Sequence, residues 1–379
     1  MRIAHVNMFY APTFGGVEMV MQELAERQAA QGHEVHVFCC DSDKYKRIKK
    51  KEEIINNIHV HRSRYWFRLS LSTFIWPGIF LKFIKQKKFD IIHSHVSGHA
   101  YVLFAGIIAK ISGARHVHTT HCPWTDKYRR KILRILVFLN EKIFNHISFR
   151  LIDKVVAITP WEYSILKKWV PISEVVNIPN GMDKSFFSRI KNNNFKKKYN
   201  IPNGKMVLFF GRLNPTKGPD VLAEVGTEIV NVRKDISFVF VGPDEGKEQD
   251  VKNIIKDQPR MFLLGAITGY SERQEMYQAA DVYVLPSYRE GLPLTIFEAM
   301  ASKLPIIASP CNGVPYEVKD GVNGFLVDYG DRKTLKQKIL EVLDNKELAD
   351  KFAGNNELKA KSFDWDLISQ RYMEEAYNE

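Results

Sequence analysis

The chain has 379 residues, of which 45% are hydrophobic and 26% charged, and it contains no low-complexity run. This length is too great for one ordinary hydrophobic core, and the composition excludes a disordered or fibrous protein. The sequence therefore predicts a globular protein of two domains.

Three features of the sequence predict a cytoplasmic protein. The most apolar segment, Leu69–Leu81, is interrupted by Pro77 and Gly78 and is shorter than the ~20 residues that a membrane span needs. The N-terminus lacks the apolar core and cleavage site of a signal peptide. The four cysteines show neither paired nor metal-binding spacing, which suits a reducing compartment.

The net charge of +12 is unevenly distributed along the chain. Residues 1–180 hold 27 Lys and Arg against 14 Asp and Glu, whereas the remaining residues hold 28 against 29. A basic surface attracts nucleic acid, a polyanionic substrate or an anionic membrane. An ordinary solvated surface rich in lysine is the alternative for part of this excess.

The N-terminal segment predicts a βαβ unit. Ile3–Asn7 is typical of a buried strand, Glu18 begins a run with helical periodicity, and Val35–Phe38 is a second strand. Such a unit favours a parallel sheet. Gly15 and Gly16, at the turn from strand to helix, allow the backbone to approach a ligand closely, although most glycines of this kind serve only the turn.

Two segments of the first domain combine cations with apolar side chains. Trp66 and Arg68 lie in a stretch of aromatic and basic residues, a pattern suited to stacking on bases or to a membrane interface. Lys127, Arg129 and Arg130 precede a strongly apolar helical run, as in a basic amphipathic helix that lies on anionic lipid. An ordinary domain helix with a charged first turn has the same pattern.

Two further predicted strands end in histidine. They are Asp90–His95 and Arg115–His121, and the second delivers His121 to a loop at its C-terminal end. Open α/β sheets bind ligands at such ends. A lone histidine is more often a buried hydrogen-bonding group, and we interpret His93 and His95 in that way.

The first domain is predicted to end near residue 178. A helix is predicted from Pro77 to Lys88, and Val155–Ile158 is the last predicted strand of the domain. The segment Val176–Asp183 contains Pro and Asn-Gly, which are typical of a turn-rich linker.

The second domain is predicted to begin with a strand at Met206–Phe210. The loop that follows it contains Arg212 and Lys217. An arginine binds phosphate oxygens in a bidentate manner and a lysine adds a positive charge, although isolated cations of this kind are usually surface residues. The next strand ends in Gly242 and Pro243, which form a turn-rich loop.

One strand, loop and helix organise the C-terminal half of the chain. Val282–Leu285 is a buried strand, Glu290 lies in the loop, and Glu298 lies in the following helical run. The first backbone N–H groups of this helix, at Leu294 and Thr295, form an anion site together with the helix dipole. Two solvated glutamates on an amphipathic helix are the alternative.

The context of these two glutamates, Pro-Ser-x-x-Glu-Gly-x-Pro and Glu-Ala-Met-Ala, resembles the E-x7-E signature of retaining family-4 glycosyltransferases, which have the GT-B fold. Other segments are similar to further motifs of that family. They are G-G-x-E at 15–18, D-x-x-H-x-H at 90–95, T-x-H at 119–121, I-P-N-G-x-D at 178–183 and G-R-x-x-x-x-K-G at 211–218. The resemblance covers nearly the whole chain and is strongest over residues 206–328.

The resemblance implies an α/β protein of the GT-B fold, with two Rossmann-like domains facing a central cleft. Residues 1–178 would form the acceptor domain and residues 179–362 the domain that binds the nucleotide sugar. Residues 363–379 would form a C-terminal helix that packs back on the N-terminal domain.

The resemblance also implies a role for each matched residue. Glu290 would contact the donor sugar, Glu298 the nucleotide ribose, and His121 would lie beside the donor sugar. Arg212 and Lys217 would clamp the diphosphate. The other residues predicted to bind the donor are Gly15, Gly16, Gly242, Pro243, Leu294 and Thr295.

The predicted reaction is retaining transfer of a hexose-type sugar from a nucleotide-diphosphate donor. Fixed cations would take the place of a divalent metal, so neither a metal nor another cofactor is expected. The basic, aromatic-rich N-terminal half predicts a lipid-linked or glycolipid acceptor and peripheral binding to the inner face of the plasma membrane, without nucleic acid. The alternatives are a GT-B sugar-nucleotide epimerase or phosphorylase and, outside the enzymes, a nucleic-acid-binding protein.

One position departs from the family pattern. Lys303 stands where the family usually has Gly, which ends the helix in a left-handed conformation that Lys adopts only at a cost. We therefore expect a different helix end, with neither glutamate affected.

Overall fold

The computed structural model describes residues 1–13, 15–68, 74–122 and 141–378. They form two compact units, one of Met1–Asn180 together with Trp365–Glu379 and the other of Gly181–Asp364. These divisions lie two residues from the predicted limits at 178 and 362. Within the described ranges, every helix is too short or too polar to cross a membrane.

The first unit is built on an eight-stranded sheet and a separate antiparallel pair of strands. Its strands are β1 (Arg2–Val6), β2 (Glu34–Cys40), β3 (Glu52–Ile55), β4 (Ile58–Ser63), β5 (Phe67–Arg68), β6 (Phe74–Ile75), β7 (Ile91–His95), β8 (Arg115–Thr119), β9 (Lys154–Ala157) and β10 (Val175–Asn177). The order in the sheet is β10-β9-β8-β7-β1-β2-β4-β3, and β5 pairs with β6. All neighbours in the sheet are parallel except β3 and β4.

Helices connect these parallel strands. The α-helices of the first unit are Gly16–Ala30, Gly78–Ile84, Ala100–Ser112, His146–Phe149, Tyr163–Leu166 and Trp365–Arg371. Short 3₁₀ or π turns lie at Glu141–Asn145, Pro160–Glu162, Ile172–Glu174 and Tyr372–Tyr377.

Two sequence predictions about the first unit were wrong. The helix after Pro77 ends at Ile84, four residues before the predicted end at Lys88. The strand β10 lies where we predicted the start of a linker, and it pairs in parallel with β9. Because β10 has only three residues, its sequence pattern is too short to be told from a turn.

The second unit has one parallel six-stranded sheet covered by helices. Its strands are β11 (Lys205–Phe210), β12 (Ile236–Val241), β13 (Met261–Leu264), β14 (Val282–Leu285), β15 (Ile306–Ala308) and β16 (Gly324–Leu326), in the order β13-β12-β11-β14-β15-β16. Its α-helices are Phe195–Lys198, Pro219–Val232, Glu248–Ile255, Tyr270–Ala279, Leu294–Ala301, Val314–Glu317, Arg332–Asp344 and Lys346–Ala360. Two 3₁₀ turns lie at Lys184–Phe187 and Lys361–Phe363.

Each sheet has a point at which its strand order reverses. The reversal lies between β1 and β7 in the first unit and between β11 and β14 in the second. Continuous apolar strands such as β12, in which all six residues are buried, require helices on both faces of the sheet. Both units are thus Rossmann-like, as predicted, and in such folds ligands bind outside the carboxyl ends of the strands at the reversal.

The C-terminal segment belongs to the first unit. Trp365 is buried, Arg27 Nε donates to Asp366 Oδ1 at 2.8 Å, and Arg371 Nη2 donates to the carbonyl of Asn177 at 2.7 Å. These contacts hold the last helix against the helix Gly16–Ala30 and the end of β10.

Candidate functional site

The loops after β11 and β14 are held together by close backbone contacts. Gly218 has a φ of 65°, and a Cβ at this position would lie 2.3 Å from the carbonyl oxygen of Pro286. Any other residue would therefore push the two loops apart. The N–H of Tyr288 also donates to the carbonyl of Thr216 at 3.1 Å. As a result, Lys217 lies next to the loop that carries Glu290.

Lys217 and Glu290 meet in this place. The ammonium of Lys217 lies 2.6 and 2.5 Å from the two carboxylate oxygens of Glu290, and Ser287 Oγ donates to Glu290 Oε1 at 2.6 Å. The side chain of Glu290 is 4% exposed and that of Lys217 is 14% exposed. Two predicted site residues therefore form a nearly buried ion pair, which places a lysine ammonium and a carboxylate together at the carboxyl ends of β11 and β14.

Arg212 lies in the same loop as Lys217 but has a different partner. Its Nη1 donates to Glu245 Oε2 at 2.7 Å, and half of its side chain is exposed. The backbone of this loop is fixed by the two residues after β12. Gly242 has a φ of 153° and a Cβ there would lie 1.9 Å from the carbonyl oxygen of Gly211, while Leu213 N–H donates to the carbonyl of Pro243 at 2.9 Å. Gly242 and Pro243 thus determine where Arg212 lies.

Glu298 is buried and ion-paired inside the second unit. Its Oε1 accepts from Arg273 Nη1 at 2.8 Å, and its Oε2 accepts from the hydroxyl of Tyr277 at 2.9 Å. Burial raises the pKa of the Glu298 carboxyl, and the positive charge of Arg273 opposes that rise. The structure therefore gives Glu298 two partners that hold its carboxylate in one orientation.

Sequence reasoning missed both partners of Glu298. Arg273 and Tyr277 lie four residues apart on the helix Tyr270–Ala279, and both are buried. Residues at this spacing share one helix face. An arginine and a tyrosine on the buried face of a predicted helix are a signal that they pair with an acidic group, but the sequence does not indicate which one.

The helix Leu294–Ala301 begins beside these side chains. Its first N–H groups, at Leu294 and Thr295, have no partner within the helix by virtue of their position. Thr295 is fixed because its Oγ1 accepts from the hydroxyl of Tyr283 at 2.7 Å. The helix reaches Lys303 in the left-handed conformation with φ 60°, and Lys303 N–H donates to the carbonyl of Met300. The expectation of a different helix end was wrong, because Lys adopts the conformation of the usual Gly.

In the first unit, Gly15 and Gly16 lie at the start of the helix Gly16–Ala30. A Cβ on Gly15 would lie 2.2 Å from Glu18 Oε2, whereas a Cβ on Gly16 would meet open space. Glu18 is buried and its carboxylate lies 3.3 Å from the ammonium of Lys44. A Cβ on Gly15 would thus displace the carboxylate of Glu18, and Gly16 leaves room above the helix start.

His121 follows β8 and lies in a strained loop. Its φ is 55° and that of Cys122 is 49°, while Val96, which follows β7, has a φ of 64°. Left-handed conformations are costly for residues with a Cβ, and adjacent ones persist only where the surroundings enforce them. Burial lowers the pKa of His121 to about 3, so its ring is neutral at pH 7.

A cluster of buried histidines lies beside His121 at the strand reversal of the first unit. Nitrogens of His5, His93 and His95 lie within 4.8 Å of one another, and His95 Nδ1 lies 3.1 Å from His121 Nε2. Sequence reasoning considered His93 and His95 one at a time as structural residues. It missed the cluster because His5 comes from β1, far away in the chain.

The residues predicted to touch a membrane are described only in part. Lys127, Arg129 and Arg130 lie outside the described residues. Trp66 is 70% exposed, and Arg68 Nη1 donates to the carbonyl of Lys44 at 2.9 Å.

Two family models match this chain in succession. The model of Glycosyltransferase Family 4 matches residues 14–186, and the model of Glycosyl transferases group 1 matches residues 191–359. The two matches correspond closely to the two units.

Similar proteins extend over nearly the whole chain. UDP-Gal:alpha-D-GlcNAc-diphosphoundecaprenol alpha-1,3-galactosyltransferase of Escherichia coli is 28% identical over 92% of this chain and 89% of its own. The phosphatidylinositol N-acetylglucosaminyltransferase GPI3 subunit of Saccharomyces cerevisiae is 22% identical over 98% of this chain and 82% of its own. The crystal structure of HepE from Anabaena in complex with UDP superposes with a TM-score of 0.80, at 19% identity, over 99% of both chains.

Proposed function

We propose, on the premise that this chain belongs to glycosyltransferase family 4 and has the GT-B fold, that it transfers a hexose-type sugar with retention of configuration from a nucleotide-diphosphate donor to a lipid-linked acceptor. Membership of the family makes the chain a glycosyltransferase. The donor, the stereochemistry, the acceptor and the role of each residue are the proposal.

The observation that carries this proposal is the nearly buried contact of Lys217 with Glu290. Without a donor, the two charges neutralise each other. A diphosphate bound between the loops after β11 and β14 would compete for the ammonium of Lys217 and release the carboxylate of Glu290 to face the sugar. Positive charge fixed in a water-poor place stabilises the charge that develops on a departing diphosphate.

Other residues of the second unit support the same reading. The first N–H groups of the helix Leu294–Ala301 add donors for phosphate. Glu298, held by Arg273 and Tyr277, offers a fixed acceptor for the ribose hydroxyls. Arg212 is exposed enough to exchange Glu245 for a phosphate oxygen. With these cations in place we propose that the reaction needs no divalent metal, so activity should survive EDTA.

Exposed apolar side chains of the first unit support an acceptor at a membrane surface. The helix Gly78–Ile84 buries Ile79 and Phe83 but exposes Leu81 and Ile84, each by more than 60%. Trp66 and Phe67 are exposed at the start of β5, and Ile143, Phe144 and Ile147 are exposed on the helical segment after residue 140. Combined with the excess positive charge of residues 1–180, such side chains suit an anionic bilayer. The relative from Escherichia coli has a polyprenyl-linked acceptor according to its name.

The donor and the stereochemistry are tested together. Thermal unfolding is measured with UDP-, GDP- and ADP-linked hexoses, and the ligand that stabilises the protein is then incubated with an undecaprenyl-diphosphate-linked sugar. We expect a glycolipid whose new anomeric centre, measured by NMR, has the configuration of the donor. Inversion would overturn the retaining mechanism. An epimerised nucleotide sugar or a released sugar phosphate, without transfer, would indicate the alternative enzymes.

Membrane binding is tested with sedimented liposomes that contain anionic phosphatidylglycerol at low salt. The wild-type chain is expected to co-sediment and the variant Leu81→Glu/Ile84→Glu to remain in the supernatant. Val232→Glu changes an equally exposed apolar residue of the second unit and serves as the matched control. Equal sedimentation of all three proteins would remove the support for this surface. Gel shifts with RNA and DNA are expected to be negative.

A further inference from the structure

An unbroken line of hydrogen bonds joins the C-terminal segment to His121. Gln28 Nε2 donates to the hydroxyl of Tyr377 at 3.2 Å, and Gln28 Oε1 lies 2.7 Å from His5 Nε2. His5 Nδ1 lies 3.0 Å from His95 Nε2, and His95 Nδ1 lies 3.1 Å from His121 Nε2. The line therefore crosses the helix Gly16–Ala30, β1 and β7 before it reaches the loop after β8.

The amide of Gln28 determines where the hydrogens lie along this line. An amide oxygen only accepts, so His5 must donate from Nε2 and, as a neutral ring, accept at Nδ1. His95 must then donate from Nε2 and accept at Nδ1. By the same reasoning His121 donates from Nε2, which leaves its Nδ1 without a hydrogen.

This deduction requires that each ring carries one hydrogen. Burial lowers the pKa of His5 to about 4 and that of His121 to about 3, and the pKa of His95 lies well below its ordinary value for the same reason. All three rings are neutral at pH 7. A neutral imidazole has one donor and one acceptor nitrogen, so fixing one end of the line fixes every member of it.

With the amide in this orientation, the hydroxyl of Tyr377 completes the line. It accepts from Gln28 and donates to His93 Nδ1 at 2.7 Å, and His93 then donates from Nε2 to Thr119 Oγ1 at 2.8 Å. Reversing the amide would reverse every tautomer in the line. The orientation of one side chain thus decides whether His121 presents an acceptor or a donor at Nδ1.

The spacing of His5, His93 and His95 also resembles that of a metal site. However, both nitrogens of each of the three rings already have a protein partner at 2.7 to 3.1 Å. A metal would have to displace several of these bonds, whereas neutral rings satisfy all of them. The contacts therefore favour a hydrogen-bonded line.

We propose that Tyr377 and Gln28 are positioning residues that act through His5 and His95 to hold His121 as the tautomer with an unprotonated Nδ1. This nitrogen accepts a hydrogen bond from a substrate hydroxyl. The hydrogen bond to a substrate hydroxyl rests on the proposed function, whereas the tautomer rests on the orientation of the Gln28 amide and on the contacts between the rings. The left-handed backbone of Val96, His121 and Cys122 places the two loops that carry this end of the line.

The tautomer is measured directly in the full chain. Long-range ¹⁵N–¹H correlation spectra of protein labelled at histidine distinguish a protonated Nε2 from a protonated Nδ1, and His121 is assigned by its loss in His121→Asn. We expect His5, His95 and His121 all to carry the hydrogen on Nε2 at pH 7. A hydrogen on Nδ1 of His121, or a ring that is protonated on both nitrogens, would overturn the proposal.

A matched pair of variants tests the role of the C-terminal segment. Tyr377→Phe removes the group that orients Gln28, so the spectrum is expected to show a mixture of both tautomers at His121. Tyr372→Phe removes a buried hydroxyl from the same segment that contacts Thr119 and not Gln28. Its His121 tautomer is expected to be that of the wild type. An unchanged tautomer in Tyr377→Phe would exclude the positioning role, and the wild-type spectrum decides the tautomer even where a variant does not fold.

The kinetic constants of Tyr377→Phe then distinguish a positioning role of Tyr377 from a merely structural one. In Tyr377→Phe we expect kcat/KM to fall about tenfold, the value of one hydrogen bond, through a higher KM for the nucleotide sugar. A merely structural role would lower the active fraction, and hence kcat, with KM unchanged. If the chain transfers no sugar, the proposed function fails while the spectra still decide the tautomer. If transfer is found with the other tautomer, only this inference fails.

Discussion

At the strand reversal of the first unit, between β1 and β7, neutral histidines cluster in the interior, whereas buried ion pairs lie near the reversal between β11 and β14 of the second unit. All twelve histidines of the chain lie within residues 1–146. The second unit instead pairs Lys217 with Glu290 and Arg273 with Glu298. The same sheet topology thus supports two kinds of polar site.

The difference follows from what burial does to each group. A neutral imidazole can be enclosed completely because its donor and acceptor are both used, and enclosure keeps it neutral. A charged group can be enclosed only with a partner, but it retains a full charge that a ligand can compete for. Under the proposed function, the first unit would make directional contacts with hydroxyl groups and the second would bind a diphosphate.

Acid is expected to destabilise the first unit more than the second, and this is the largest predicted difference between them. Buried His5 and His116 have pKa values lowered to about 4, against ~6.5 in an unfolded chain. The unfolded chain therefore gains protons below pH 6.5 that the folded chain does not, so stability that is present above pH 6.5 is lost as the pH falls toward 4. At pH 5 each of these histidines should lower the free energy of unfolding by about 2 kcal/mol.

Tryptophan fluorescence measures this loss selectively, because all six tryptophans belong to the first unit. The urea midpoint from fluorescence is expected to fall steeply between pH 7 and pH 5. A urea midpoint that stays constant over this range would show that buried neutral histidines do not make the first unit sensitive to acid.

Removing Arg273 from its buried ion pair with Glu298 should have the next largest effect on stability. Arg273→Met leaves the carboxylate of Glu298 buried without its cation, and we expect a loss of about 3–5 kcal/mol in the free energy of unfolding. The double variant Arg273→Met/Glu298→Leu should recover most of it. Arg233→Met, which breaks exposed ion pairs with Asp235 and Asp344, is the control and should cost about 1 kcal/mol or less. Similar losses in both single variants would show that the burial of the pair is unimportant.

Lys217→Ala tests whether the second unit uses its charge in the reaction. We expect kcat to fall by about 10²–10³-fold, the typical effect of removing one group that stabilises transition-state charge. Lys205→Ala removes a lysine that pairs with Asp281 at the opposite end of β11, and its kcat should be that of the wild type. Wild-type kcat in Lys217→Ala would exclude the proposed diphosphate clamp.

Strain gives the smallest predicted effect. In the first unit the left-handed residues Val96 and Cys122 lie beside His121, whereas Lys303 in the second unit lies at the far end of the helix that begins at Leu294. Lys303→Gly should therefore stabilise the protein by about 1 kcal/mol without changing kcat. Lys303→Ala keeps the Cβ and loses the ion pair with Glu357, so it should not stabilise the protein. A gain in the alanine variant equal to that of glycine would show that the backbone is not strained.

Local patterns in the sequence were enough to predict the strands and helices that carry the motifs. The apolar run of β14 and the helix after it have the predicted order, and Lys217 and Glu290 meet as expected of two loops at adjacent strand ends. The strand β10 could not be predicted because three residues carry too little periodicity. Arg273 was missed because a buried arginine is recognised only from the acid that it contacts.

The α/β class, the division into two units and the family follow from strand periodicity, turn residues and motif spacing, which are properties of neighbouring positions in the sequence. The pairing of polar groups depends on the folded arrangement. The line of hydrogen bonds joins four separate elements, which contribute Gln28, His5, His95 and Tyr377. Which nitrogen of each ring carries the hydrogen depends on distances that no local pattern contains. Burial then keeps those rings neutral, which is a property of the folded unit and of no single segment.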